Sequence, residues 1–331
     1  MRMDLFHLTR HLIDIESVTG HELAIGVFLE AYLAEHGYRV RRQEVQLDRF
    51  NVYAFVQSPR LIFSTHLDTV PPFIASHEDD VNIYGRGACD AKGIIAAQIH
   101  AAAELRQQGI EDIGLLFVVG EEGDSDGAKL ANQLELGSAF LINGEPTGNK
   151  LAIASKGSMR VQITTRGRAA HSAYPQMGES AIEKLLDVLN DIRRMPLPRH
   201  DLLGETNFNI GMIAGGIAPN VIADEAHAWL MFRLVEDAAA LKAELLAVVQ
   251  GRADVQIRSE TPPVFLRSAD EFETCVVSFT TDVPWLTNLG QPYLLGPGSI
   301  LDAHTDHEKV SKQELTEAVA LYVRLAKGLL Q

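Results

Sequence analysis

Leu115-Leu116-Phe117-Val118-Val119-Gly120-Glu121-Glu122-Gly123 is the stretch that decides the fold. A short apolar run without polar alternation reads as a strand buried in a sheet. Two glutamates stand directly beyond its carboxyl end. One carboxylate of such a pair can hold a metal while its neighbour moves a proton. Metal-assisted hydrolysis needs that arrangement, provided the rest of the chain supplies the other ligands.

Outward from this stretch, strands and helices alternate. Strand-like segments lie at Arg39–Gln46, Val52–Val56, Leu61–Ser64 and Ala139–Ile142. Leu5, Leu8, Leu12 and Ile15 recur at helical spacing. Thr19 with Glu22 reads as a capping box opening a second helix, which Gly37 ends. Ala91–Gln108 is an alanine-rich helix facing a sheet, and Gly127–Leu134 reads as another helix. The alternation argues an α/β fold, a sheet with helices on both faces.

The pattern changes near Ser155. Met159–Thr165 is a half-exposed strand and Ser180–Arg194 an amphipathic helix carrying Ile182, Leu185, Leu186, Leu189 and Ile192. Phe208–Ile213 and Ala226–Leu234 read as strands, Ala238–Val249 as a helix and Val255–Ser259 as a strand. This β-α-β-β-α-β order is a split βαβ sandwich of about 105 residues. Pro262-Pro263 marks the return. A strand at Pro292–Leu295, a loop at Gly296–Ser299 and a helix at Lys312–Leu330, opened by Ser311 and Glu314, follow. The expected organisation is a large domain of 1–155 and 263–331, with 156–262 inserted.

The chain has 331 residues, 46% hydrophobic and 22% charged, so it can bury a large core. With 29 basic and 44 acidic residues its formal net charge is −15, which argues against nucleic-acid binding. Cys89 and Cys275 form no disulfide framework and fit a reducing compartment. The N-terminal Met-Arg-Met-Asp-Leu-Phe-His has no apolar leader core. No apolar stretch approaches the roughly 20 residues of a membrane span. The expectation is a cytoplasmic protein with no membrane partner.

Four further segments carry chemistry, each beyond a strand or in a loop. They are His66-Leu67-Asp68, Gly85-Arg86-Gly87-Ala88-Cys89-Asp90-Ala91-Lys92-Gly93, Asn143-Gly144-Glu145-Pro146-Thr147, and Ala303-His304-Thr305-Asp306-His307-Glu308. Each alone is weak. Gly85–Gly93 lacks both the P-loop and the dinucleotide pattern. Ligands gather at the carboxyl ends of the strands in an open α/β sheet, so the segments converge even though they are far apart in sequence.

Di-metal hydrolysis uses two cations about 3.5–4 Å apart, held by imidazole and carboxylate. Asp90 is the candidate bridge. His66 and Glu145 complete one metal, and Glu122 with a late histidine completes the other. Glu121 is left to take a proton from the attacking water. Asp68 can accept the other imidazole N–H of His66 and fix its tautomer. Cys89 is read as packing.

The set His66-x-Asp68, Gly85–Gly93, Glu121-Glu122, Gly144–Thr147 and Ala303-His304 resembles a di-zinc amidohydrolase and exopeptidase family. Its members include acetylornithine deacetylase, succinyl-diaminopimelate desuccinylase, aminoacylase-1 and carboxypeptidase G2. The resemblance implies a zinc-exopeptidase-like three-layer αβα catalytic domain with an inserted ferredoxin-like lid and dimerisation domain. It implies two Zn²⁺ per subunit, replaceable by Co²⁺. His66 and Glu145 would hold one zinc, Glu122 and His304 the other. Asp90 would bridge them and Glu121 would be the general base. Relatives often carry Asp or Asn where this chain has His307, so two histidines compete, and the Ala-His step and Glu308 favour His304.

The resemblance also implies that His171 is a lid histidine stabilising the oxyanion, supplied by the partner subunit of a homodimer. Asn220 matches a substrate-contacting asparagine, and Arg233 an arginine gripping the substrate carboxylate. The implied activity is hydrolysis of an N-acyl amino acid, with N-acetylornithine the expected substrate. The alternatives are N-succinyl-diaminopimelate or a short peptide, cleaved as by a di/tripeptidase or carboxypeptidase. A non-catalytic metal-binding relative would have lost Glu121 or a ligand, and none is lost.

Overall fold

The structure, a computed structural model, describes residues 3–331. Met1 and Arg2, part of the N-terminal stretch read above, lie outside them. The chain forms two compact units. One runs up to Ile153 and takes in Phe265–Cys275 and Thr281–Gln331, and the other comprises Ala154–Val264 and Val276–Thr280.

The first unit is built on a mixed sheet. Its strands lie in the order Arg39–Gln46, Arg49–Phe55, Ile113–Val118, Leu61–His66, Phe140–Asn143 and Gln291–Leu294. Leu61–His66 runs parallel to both its neighbours, and Gln291–Leu294 runs parallel to Phe140–Asn143. The strand Arg49–Phe55 is antiparallel to Ile113–Val118 and forms a hairpin with Arg39–Gln46.

The continuous apolar run has a direct structural cause. Leu115, Phe117 and Val119 enter one core with Leu12, Leu29, Ile94 and Tyr322. Leu116 and Val118 point the other way, into a second core with Ala128, Ala131 and Leu289. Successive side chains alternate faces, so a strand covered on both sides must be apolar throughout. The helices Leu5–Asp14, Leu23–Glu35, Lys92–Gln107 and Lys312–Leu330 supply the first core, and Asp126–Ala131 supplies the second.

Of the two expected capping boxes, one forms. Ser311 and Glu314 form a reciprocal capping box on Lys312–Leu330. Thr19 and Glu22 do not. The Thr19 hydroxyl donates to Asp68 at 2.9 Å, and Glu22 makes no side-chain cap. Glu22 instead receives Arg49 through both oxygens, at 2.9 and 3.0 Å. Arg49 is buried and requires a counter-charge, which the Glu22 carboxylate supplies through two charge-assisted bonds. The helix expected at Gly127–Leu134 is Asp126–Ala131. A small sheet of Lys309–Ser311, Asn82–Tyr84 and His77–Glu78 was not foreseen, because its strands are too short to show a period.

The second unit is α+β. Its antiparallel sheet has the order Asn207–Gly215, Glu225–Leu234, Gly157–Arg166 and Asp254–Thr261. The helices Ala181–Ile192 and Ala238–Val249 pack Leu185, Val188, Leu241 and Leu245 against Met159, Val161, Ala228 and Phe232. Ser180 and Asp237 cap these helices, accepting from Glu183 and Ala239 N–H groups. No helix among the described residues is long and apolar enough to cross a membrane.

Candidate metal centre

The parallel strands of the first unit end on one edge of the sheet. His66 is the last residue of Leu61–His66, Glu121 and Glu122 follow Ile113–Val118, and Glu145 follows Phe140–Asn143. The loop after Gln291–Leu294 carries His304, and Asp90 lies in the turn before Lys92–Gln107.

Among the described residues, two groups have ligand atoms within 4.8 Å of one another: His66, Asp90 and Glu145, and Asp90, Glu122 and His304. Asp90 belongs to both, and its two oxygens divide the work. Asp90 Oδ1 lies 3.0 Å from His66 Nε2, while Oδ2 lies 3.3 Å from His304 Nε2. His304 Nε2 also lies 2.8 Å from Glu122 Oε1. His304 has a φ of 63°, an uncommon value for a non-glycine residue at such a place. His307 is exposed and stands in neither group.

Asp68 departs from its expected contact. His66 Nδ1 lies 2.8 Å from the Asp68 backbone carbonyl and 3.6 Å from its carboxylate, too far for a hydrogen bond. The carboxylate instead accepts the N–H groups of Glu121 and Glu122, each at 3.1 Å, and the Thr19 hydroxyl. The turn after Ile113–Val118 presents two backbone donors, and a buried carboxylate satisfies both at once. The imidazole is still oriented, but by a carbonyl.

The donor set fits divalent cations. Burial, followed by the charge of Glu145, pushes Glu121 well above the usual carboxylate range. Burial also raises Glu122 and Glu145. Glu145 Oε1 is buried and finds no hydrogen-bond partner among the described residues. Bonds to Asp90 and Glu122 push His304 up to about 10. Burial opposes charge on His66, but Asp68 and Asp90 outweigh it and raise its pKa. Burial would raise Asp90 too, yet His304 and His66 hold it below the ordinary range. A crowd of carboxylates and imidazoles that retain protons to offset one another is one that cations would neutralise. Burial pushes the Cys89 thiol up, so it is no thiolate, and it packs 3.6 Å from the Ser299 carbonyl.

Sequence reasoning missed two acids. Glu308 was used only to place the late histidine, yet it is buried and bonded to the loop that carries Asp90. Asp282 is buried, and burial pushes it up to about 7. Glu308 stands in a segment already singled out, but its contact is with a distant loop; Asp282 has no local motif that could have flagged it.

The other expected residues lie in the second unit. His171 and Asn220 belong to adjacent loop segments: His171 bridges to Val221, and the Ser172 N–H donates to the Asn220 carbonyl at 3.0 Å. Both side chains are exposed. Arg233 lies on Glu225–Leu234, 3.4 Å from the Thr280 hydroxyl.

Residues 62–328 match the model of peptidase family M20/M25/M40. A peptidase M20 domain-containing protein of Schizosaccharomyces pombe is 39% identical, over 97% of this chain and 84% of its own length. A probable carboxypeptidase of Aspergillus fumigatus is 37% identical, over 98% of this chain and 86% of its own length. A tripeptidase structure from Staphylococcus aureus superposes with a TM-score of 0.79 at 23% identity, over 96% of both chains, and shares the fold. The family match spans the loops that carry every member of the two ligand groups, and with the curated relatives it places the chain in peptidase family M20/M25/M40, as a metal-dependent hydrolase.

Proposed function

We propose that the protein hydrolyses the amide bond on the amino side of a residue with a free carboxylate. An N-acyl amino acid and a short peptide cut at its carboxyl end share that chemistry. The reading rests chiefly on one observation: Asp90 offers one oxygen to each of two histidines, with Glu121 beside them and outside both ligand groups.

In this reading His66, Asp90 and Glu145 would hold one Zn²⁺, and Asp90, Glu122 and His304 would hold the other. Such ions acidify water and polarise a carbonyl. The chain's own groups do the rest. Asp68, through both backbone N–H groups, aims the glutamate pair. The Glu121 carboxylate takes the proton of the attacking water and hands it to the leaving amine nitrogen. His171, Asn220 and Arg233 are assigned to the substrate: His171 to the developing oxyanion, and Arg233 to the carboxylate, which suits a guanidinium fork.

N-acetylornithine remains one candidate substrate. The relatives' names favour a peptidase or carboxypeptidase reaction over a deacetylase. A homodimer through the second unit is part of the proposal, with the edge strand Asn207–Gly215, exposing Met212 and Ile213, as its contact.

The test is a panel assay of the zinc- and cobalt-loaded protein on N-acetyl and N-succinyl amino acids and di- and tripeptides, each also as the C-terminal amide. Cleavage only of the free acids is the expected result. Inertness toward every amide with two metals bound would sink the proposal.

A further inference from the structure

Glu308 and Arg86 form a buried pair beside the two ligand groups, at 1% and 2% exposure. Arg86 Nη1 donates to Glu308 Oε2 at 2.7 Å. The other oxygen, Oε1, gathers three backbone N–H groups, those of Gly87, Cys89 and Asp90, at 2.9, 3.3 and 3.2 Å. The Gly85 N–H donates to the Glu308 carbonyl at 3.0 Å. Arg86 Nη1 also donates to the Thr305 carbonyl, one residue after His304, at 3.1 Å. The pair therefore ties the loop carrying Asp90 to the loop carrying His304.

The loop is tight enough for this clamp to matter. Gly87 has a φ of 91°. A Cβ at Gly93 would meet the Ala88 carbonyl oxygen at 2.3 Å, so the turn leaves no room for a side chain there. A buried ion pair is weak evidence for stability, because well-packed apolar residues often do as well. An apolar pair would leave the three loop N–H groups without an acceptor and the Asp90 backbone free to shift. Outer groups that orient ligands tune metal affinity.

We infer that Glu308, held by Arg86, is a positioning residue that sets the affinity of both metals together, by fixing the backbone of the one ligand they share. The inference rests on the two-metal reading proposed above.

The test titrates metal-free protein with Zn²⁺ against a chromophoric chelator and follows the Co²⁺ absorption spectrum. It compares wild type, Glu308→Gln and Glu308→Asp. The aspartate variant keeps the charge that buried Arg86 requires but shortens its reach, so it covers the case in which the glutamine variant does not fold. The expected result is a parallel loss of about 10–100-fold in affinity for both metals, with an altered Co²⁺ spectrum. A merely structural role would lower the melting temperature of the metal-free protein and leave both affinities at wild-type values, and that would overturn the inference. So would weakening of one metal alone. A wild-type protein that binds no second metal would instead overturn the two-metal reading and the inference with it.

Discussion

The Asp68 carboxylate accepts the backbone N–H of Glu121 at 3.1 Å. Its second oxygen does the same for Glu122. The paired glutamates are therefore aimed by their backbone, and their two side chains are left for different tasks. Glu122 joins a ligand group and Glu121 joins neither.

Glu121→Gln should keep its metals and lose at least about 100-fold in turnover, the scale of general-base catalysis. Metal analysis paired with steady-state rates checks this. Full turnover in that variant would remove Glu121 from the mechanism.

Asp90→Asn should lower the affinity for both metals, whereas Glu145→Gln and His304→Ala should each weaken one. The reason is membership: Asp90 stands in both groups and the others in one each. Metal stoichiometry at equal free Zn²⁺ reads it out, and two full sites in Asp90→Asn would contradict the shared-ligand geometry.

Stability of the metal-free protein should fall as pH rises from about 6.5 to about 10. His304, at about 10 against an ordinary 6.5, adds stability that is fully present below the ordinary value and is lost as pH passes its folded value. Glu121 and Glu145 are raised as well, so the folded state holds protons that the unfolded state releases, and their contribution has the same sign. Bound metal displaces these protons and should flatten the slope. Melting temperatures across this range, with and without chelator, decide it.

Glu22→Gln should cost about 1.5–3 kcal/mol, because it replaces one of the two carboxylates that hold the buried guanidinium of Arg49 by a neutral amide. Denaturant unfolding of the metal-free protein measures the loss. A cost within the error of the wild-type curve would mean that Asp126 alone suffices for Arg49.

Met212→Asp paired with Ile213→Asp should yield monomers if the edge strand Asn207–Gly215 is the contact between subunits, since charges on an exposed edge oppose pairing. Light scattering at several concentrations gives the answer, and an unchanged dimer would place the contact elsewhere.

Much of this was legible in the chain itself. Leu115–Val119 had to be buried on both faces, because an apolar run has no side to show to water, and the structure sends its side chains into two cores. Ser311 and Glu314 capped the helix that their spacing announced. Strand ends carrying His66, Glu121, Glu122 and Glu145 already pointed to one edge of a parallel sheet. Other relations have no local period. Arg49 drew Glu22 away from its cap across 27 residues of sequence, and Glu308 reached the Asp90 loop across 218. Charge and hydrogen bonding inside a protein are satisfied by whatever the fold brings near. The sequence by itself therefore determined the long elements and the carboxylates and imidazoles that stand at their ends. Only the tertiary structure decided that a carbonyl rather than a carboxylate orients His66, and that a distant glutamate binds the loop carrying Asp90.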